Sequence, residues 1–309
     1  MPAERDDTDR PGSNKPARRK RWWRRFKWAL RVGVLLAIVG KFIVGFDSCF
    51  YYPSREVLYT PDQLGLDYED VTFEASDGVR LSGWFLPAQG AAKGTVVHFH
   101  GNAENMTGHI TFADWLPRVG YNLLVFDYRG YGKSEGKVTR KGTILDGHAA
   151  LDYALSRPDV DPQRVFAFGQ SIGGAVAVVV AAERPELRAV VVDSTFSSYR
   201  RIAAMHLRKM LLFKWLAGLT ARLALSADYD PIDCVDRLAP RPLLVIASGQ
   251  DEICFPELGR ELYEAAREPK EFWLVPEAAP TETIFLEPDE AQRRITTCFE
   301  EGVAVAPAR

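Results

Sequence analysis

Histidine is scarce in this chain. There are five in 309 residues, at 98, 100, 109, 148 and 206, and the 103 positions after His206 hold none. Cysteine is scarce too. Cys49, Cys234, Cys254 and Cys298 are widely spaced, with no C-x-x-C pair, which argues against a zinc site. Buried free thiols are the expectation, and one or two disulfides are the alternative if the chain faces an oxidising compartment. Net charge is small, at −2, so the chain as a whole gives no reason to expect a nucleic-acid partner. No motif for a metal or an organic cofactor occurs.

What is present is enough for one large domain with a buried core, plus an appendage. Hydrophobic residues make up 47% and charged residues 26%, the profile of a folded globular protein. The charge is unevenly spread. Residues 1–27 read as a basic, disordered N-terminus that ends in RRKRWWRRFK. Residues 28–46, WALRVGVLLAIVGKFIVGF, follow. They reach the roughly 20 mostly apolar residues of a spanning helix if Arg31 and Lys41 snorkel or face protein. Trp22, Trp23, Trp28, Phe50, Tyr51 and Tyr52 bracket the run like interfacial aromatics. A cleaved signal peptide would need an A-x-A site after the apolar run, and none follows it. An uncleaved, single-pass membrane anchor is the expectation, with the domain outside the cytoplasm by the positive-inside rule. An amphipathic helix lying on the domain is the plainer alternative.

From position 50 onward the pattern is α/β. EDVTFEA and VRLSGWFL, joined by the turn signal SDG, read as an antiparallel hairpin. TVVHFH, NLLVFDY, RVFAFG, AVVVDS, PLLVIAS and EFWLV follow, mostly as continuous apolar runs suited to strands buried on both faces of a parallel sheet. The segments between them are long enough for crossover helices, such as 141–155 and 173–183. This predicts a mostly parallel, doubly wound sheet of about eight strands. Residues 195–240 are helical in pattern with no strand, and predict a lid over the C-terminal edge of the sheet. Most of its Leu, Met, Phe and Trp residues are expected to pack on the core.

GQSIGG, 169–174, carries the chemistry. It is G-x-S-x-G between a strand and a helix of small residues, the context in which a tight turn lifts a serine above the sheet. Its neighbouring amides lie at a helix N-terminus, which favours negative charge. HGNAEN, 100–105, ends an earlier strand. The backbone amides of Asn102 and Ile172 are expected to converge on one oxyanion. A bare tight turn at Gly101 is the plainer reading of the second motif.

With these residues in view, the chain resembles the α/β-hydrolase superfamily. It is similar to a membrane-anchored bacterial branch with a serine aminopeptidase-like domain. The resemblance rests on FYYPSRE (50–56), DGVRLSGWFLP (77–87), HGNAEN, FDYRGYGKSEG (126–136), GQSIGG and DSTFSS (193–198). It implies an α/β-hydrolase fold over 50–309, Ser171 as nucleophile, an acid after PLLVIAS and a histidine after EFWLV. Asp251 in SGQDEI matches the acid, and Asp193 is the alternative acid position of some relatives.

The histidine is missing. VPEAAPTET, 275–283, sets Pro280 where the family's histidine belongs, and the order Ser…Asp…His cannot be completed. FLEPDEAQRRITTCFEE still reads as the closing helix, so the histidine looks substituted and not deleted. His98 and His100 share one face of a central strand and read as structural. His109 and His148 read as helix-surface residues. His206, on the lid, is the one histidine placed to act as a substitute base.

Two classes follow. One is a serine hydrolase of a small-molecule, lipid or peptide ester, thioester or amide, with weak or rerouted base catalysis. The other is a membrane-anchored binding module that keeps the pocket without the chemistry. GQSIGG, HGNAEN and Asp251 favour the first, and the absent histidine favours the second.

Overall fold

A computed structural model describes residues 50–210 and 214–305. The basic N-terminus, the expected anchor at 28–46 and Cys49 lie outside the described residues. Among the described residues, no helix is long and apolar enough to cross a membrane.

Eight strands form one sheet in the order β10-β9-β8-β7-β4-β6-β3-β2. They are β2 (Glu69–Glu74), β3 (Arg80–Leu86), β4 (Gly94–Phe99), β6 (Tyr121–Phe126), β7 (Val165–Gln170), β8 (Leu187–Asp193), β9 (Leu243–Ser248) and β10 (Lys270–Val275). β2 and β3 form the hairpin that SDG predicts, antiparallel with Val71 opposite Gly83. β3 also pairs antiparallel with β6, and the remaining neighbours pair in parallel. The fold is the expected α/β-hydrolase arrangement of a mostly parallel sheet with helices.

The apolar runs are continuous because each strand feeds two cores. Val97, Phe99, Leu124, Phe126 and Ala167 face one, with Arg140–Ser156 (α2) and Ile172–Glu183 (α3). Val96, Leu123, Val125, Phe166 and Phe168 face the other, with the closing helix Pro288–Ala304 (α8). Side chains alternate across a strand, so a run buried on both faces needs apolar residues at every position. β10 departs from this pattern. It is the edge strand, and its EFWL positions are partly exposed.

From β4 the chain moves outward to β6 and then returns to the other side of β4 as β7. The C-terminal ends of β4 and β7 therefore flank a reversal of strand order, where open α/β sheets bind ligands.

Two features differ from expectation. Tyr52–Pro53 (β1) and Ala103–Glu104 (β5) form a separate, parallel, two-residue pair. The residues between β8 and β9 fold as Tyr199–Met210 (α4), Ala217–Ala224 (α5) and short 3₁₀ turns. Their apolar side chains do not all pack inward: Trp215, Leu219 and Leu223 are 75%, 54% and 72% exposed.

Candidate active site

Ser171 stands at the junction of β7 and α3, with φ 52° and ψ −121°. That left-handed backbone is costly for a residue with a Cβ, and strain of this kind concentrates at functional sites. The surroundings hold it there. Its N–H donates to Asp193 O at 2.8 Å, and its carbonyl accepts from Thr195 Oγ1 at 2.8 Å. A Cβ at Gly173 would collide with the carbonyls of Phe99 and His100. The helix N-terminus is thus pressed directly against the end of β4.

That packing brings Ile172 beside the turn His100–Asn102. The Asn102 side chain is tied down, since its Oδ1 accepts from Tyr52 N at 2.9 Å and from Tyr131 Oη at 3.4 Å. The β1–β5 pair thereby braces the turn. Asn105 adds to this by donating to the carbonyls of Ser54 and Glu56, at 3.1 and 2.7 Å. No acceptor among the described residues takes the backbone N–H of Asn102 or Ile172.

Asp251, on the loop after β9, is buried, and its Oδ1 accepts from the amides of Ile253 and Cys254, both at 2.7 Å. Burial raises its pKa, against the lowering effect of these two amides. The loop folds Cys254 back so that its Sγ lies 3.5 Å from Ser171 Oγ. Burial pushes the Cys254 thiol up to about 12, so it is a neutral thiol at ordinary pH. Asp193 is buried, and burial pushes its carboxyl up to about 7, with Asp251 adding to the rise. Its Oδ1 accepts from Ser194 Oγ at 3.2 Å, and its Oδ2 has no partner among the described residues. Ser171, Cys254, Asp251 and Asp193 are therefore one cluster.

No imidazole reaches Ser171 Oγ among the described residues. His206, on α4, lies over the Asp251 loop with Nε2 2.9 Å from Ile253 O and its ring 5.2 Å from Phe255. His98 and His100 are buried beneath the site, and burial lowers both, His98 to about 3. His109 is not a free surface residue. Its Nδ1 lies 2.7 Å from Gln170 Oε1 and its Nε2 2.9 Å from Ala103 O. Gly101 makes room for it, because a Cβ there would lie 2.8 Å from its ring. His148 pairs with Glu183 at 2.9 Å.

The loop after β10 runs along the same edge of the sheet. Gln250 N donates to Ala278 O at 2.9 Å, and Thr281 N to Ser194 Oγ at 3.3 Å. Pro280 sits between these two anchors. Cys254 is the neighbour of Ser171 that the sequence alone does not reveal. FDYRGYG proves structural: the Arg129 guanidinium reaches Asp146 of α2 at 2.8 Å and Asp77 of the hairpin turn at 2.7 Å. Cys234, Cys254 and Cys298 are free and buried.

Residues 90–239 match the family model described as serine aminopeptidase, S33. The uncharacterized protein YfhR of Escherichia coli K12 is 38% identical over 234 residues, which covers 74% of this chain and 78% of that one. The alpha/beta hydrolase domain-containing protein WAV2 of Arabidopsis thaliana is 31% identical, covering 77% of this chain and 82% of its own. Among solved structures, the Pyrococcus furiosus esterase Pf2001 superposes with a TM-score of 0.68 at 26% identity, covering 82% of this chain and 99% of that one. Sheet order, serine turn and relatives agree, and the chain belongs to the α/β-hydrolase family.

Proposed function

We propose that this protein is a serine hydrolase of ester, thioester or amide substrates in which Ser171 is the nucleophile and no imidazole completes the triad. The observation that carries the reading is the left-handed Ser171 at the head of α3, next to two amides without acceptors. Ser171 Oγ attacks the acyl carbon. The amides of Asn102 and Ile172 stabilise the oxyanion, and loss of one such donor costs about 2.7–4 kcal/mol in a well-studied case. The serine proton leaves with the departing alcohol, thiol or amine, and water then releases the acid from the acyl-serine. Asp251 is the acid of the site. The likeness to an esterase favours an ester over the other two classes.

Without an imidazole the attack is slow. An oxyanion hole and binding alone give roughly 10³–10⁴ over water. Steady-state hydrolysis of p-nitrophenyl acetate tests this. Wild type should turn over at about that level through an acetyl-Ser171 intermediate that intact mass reads, and Ser171→Ala should lose that adduct whatever slow turnover remains. Turnover by wild type with no acetyl group on Ser171 would instead favour a binding module. The contact of Cys254 Sγ on Ser171 Oγ, where a base is needed, is the observation that speaks for that second reading.

We further propose that residues 28–46 tether the domain to the membrane on its extracytoplasmic side. Deleting residues 1–46 should move the protein to the soluble fraction. Protease added to intact cells should cleave the full-length chain. Protection, with access confirmed, would reverse the topology.

A further inference from the structure

Residues 199–226 carry six basic residues, Arg200, Arg201, Arg208, Lys209, Lys214 and Arg222, and no Asp or Glu, in a chain whose net charge is −2. Two of these are paired with the body of the domain, Arg201 with Glu261 and Lys209 with Glu252. Lys214 and Arg222 are exposed and carry no ion pair among the described residues.

The same segment turns apolar side chains outward. Ala217 and Ala221 form the inward stripe of α5, and they and Leu225, which caps the helix, are buried. Leu219 and Leu223 lie four apart on another stripe of α5, Trp215 stands in the 3₁₀ turn Lys214–Leu216 that leads into it, and all three are among the most exposed large apolar residues described. Scattered exposed apolar residues are ordinary, but three within nine residues on one short helix and its leading turn mark a candidate contact surface. Lys214 and Arg222 flank this surface at either end.

The chain also enters the domain at this place. Phe50, the first described residue, packs edge-to-face on Tyr199, the first residue of α4, with ring centroids 5.3 Å apart. Phe50 is thus at the foot of the insertion, and the basic run and apolar stretch precede it in the sequence.

We propose that Trp215, Leu219 and Leu223, on α5 and the turn that leads into it, dock on an anionic lipid surface. A Trp/Leu surface edged by Lys and Arg has the chemistry of a helix lying in the membrane interface. Its apolar side chains enter the acyl boundary, and its cations meet lipid phosphates. A protein partner of ordinary composition would match the apolar surface but would not require a segment free of acidic residues. The insertion follows β8, at the edge of the sheet where Ser171 stands, so docking would turn that edge towards the bilayer.

The test uses the full chain with Cys49→Ser and Leu219→Cys, labelled at position 219 with an environment-sensitive fluorophore. It is reconstituted into vesicles of phosphatidylcholine alone, or of phosphatidylcholine and phosphatidylglycerol in equal parts. A label at Gln163→Cys, before β7 at the opposite end of the sheet, is the control. The expected result is a blue shift at position 219 in the anionic vesicles, weakened by salt, with no shift at position 163. Lys214→Ser and Arg222→Ser should each lower the docked-to-undocked ratio about fivefold. Three results would overturn the proposal. They are no shift at 219, an equal shift in phosphatidylcholine alone, and a shift that grows with protein concentration in detergent without vesicles, which would identify a second copy of the chain as the occupant.

Discussion

Cys254 holds its Sγ 3.5 Å from Ser171 Oγ, while the nearest carboxylate on the same loop, Asp251, spends its Oδ1 on the amides of Ile253 and Cys254. The loop that bears Asp251 therefore places a thiol against the serine. A neutral thiol can share a hydrogen bond with the hydroxyl but cannot take its proton at pH 7. Among the described residues the site has a strained serine and two amides without acceptors, and no imidazole within reach of Ser171 Oγ.

The thiols themselves are testable. Burial pushes Cys254 and Cys234 each up to about 12 and raises Cys298 as well. At pH 8 the thiolate fraction of the first two is on the order of 10⁻⁴. Iodoacetamide should leave all three unmodified in the folded protein and modify all three in guanidinium. Rapid alkylation of native Cys254 would show that the loop opens.

Asp193 predicts a pH dependence of stability. Its folded pKa, about 7, is raised above the ordinary carboxyl value by burial. The folded state therefore holds a proton that the unfolded chain has released between about pH 4 and 7. The stability linked to this group is full below about pH 4 and lost as pH rises to 7. His98, lowered to about 3, acts in the opposite sense, with stability lost as pH falls from 6.5. The difference between wild type and Asp193→Asn isolates the first effect. Chemical denaturation should show Asp193→Asn gaining on wild type, by on the order of a few kcal/mol, as pH goes from 4 to 8. A pH-independent difference would mean that Asp193 is ionised in the fold.

His206 is engaged with Ile253 O and not with Ser171. His206→Ala should leave Ser171-dependent ester hydrolysis within about threefold of wild type, well short of the 10²–10⁴ that a general base contributes. A hundredfold loss of kcat, with KM unchanged, would show that α4 swings inward during turnover and supplies the base.

Pro280 lies between Ala278 and Thr281, which are anchored to Gln250 and Ser194 at the edge of the sheet. Pro280→His releases the fixed φ and offers an imidazole near Asp251 and Ser171. Activity on a small activated ester should rise about tenfold. That is below a full general-base gain, because Nε2 must come within roughly 2.6–3.2 Å of Oγ while Nδ1–H meets a carboxylate. Ser171→Ala in the same chain should abolish the gain. A folded Pro280→His protein with no gain would show that the loop cannot present a base.

Much of the fold is legible in the sequence, because local patterns and long-range pairing agree. SDG marks the β2–β3 hairpin, and six apolar runs became six strands within a residue or two of their expected ends. GQSIGG lies across the β7–α3 junction because glycine alone fits where that helix meets β4. The residues that were not legible depend on folded loops. Nothing in the pattern of Cys254 says that it folds back onto a serine 83 positions earlier. His109 looks like a helix-surface residue until Gly101 admits its ring against Gln170. The outward stripe of α5 is misread because apolar periodicity does not say which of two apolar faces meets the core.

The central claim is that Ser171 stands in an assembled acyl-transfer site without a base. The most direct test is the intact mass of the protein after incubation with a fluorophosphonate. The predicted result is a single adduct on Ser171, formed slowly and absent in Ser171→Ala. A protein that never gains the adduct, or gains it equally in Ser171→Ala, would contradict the claim.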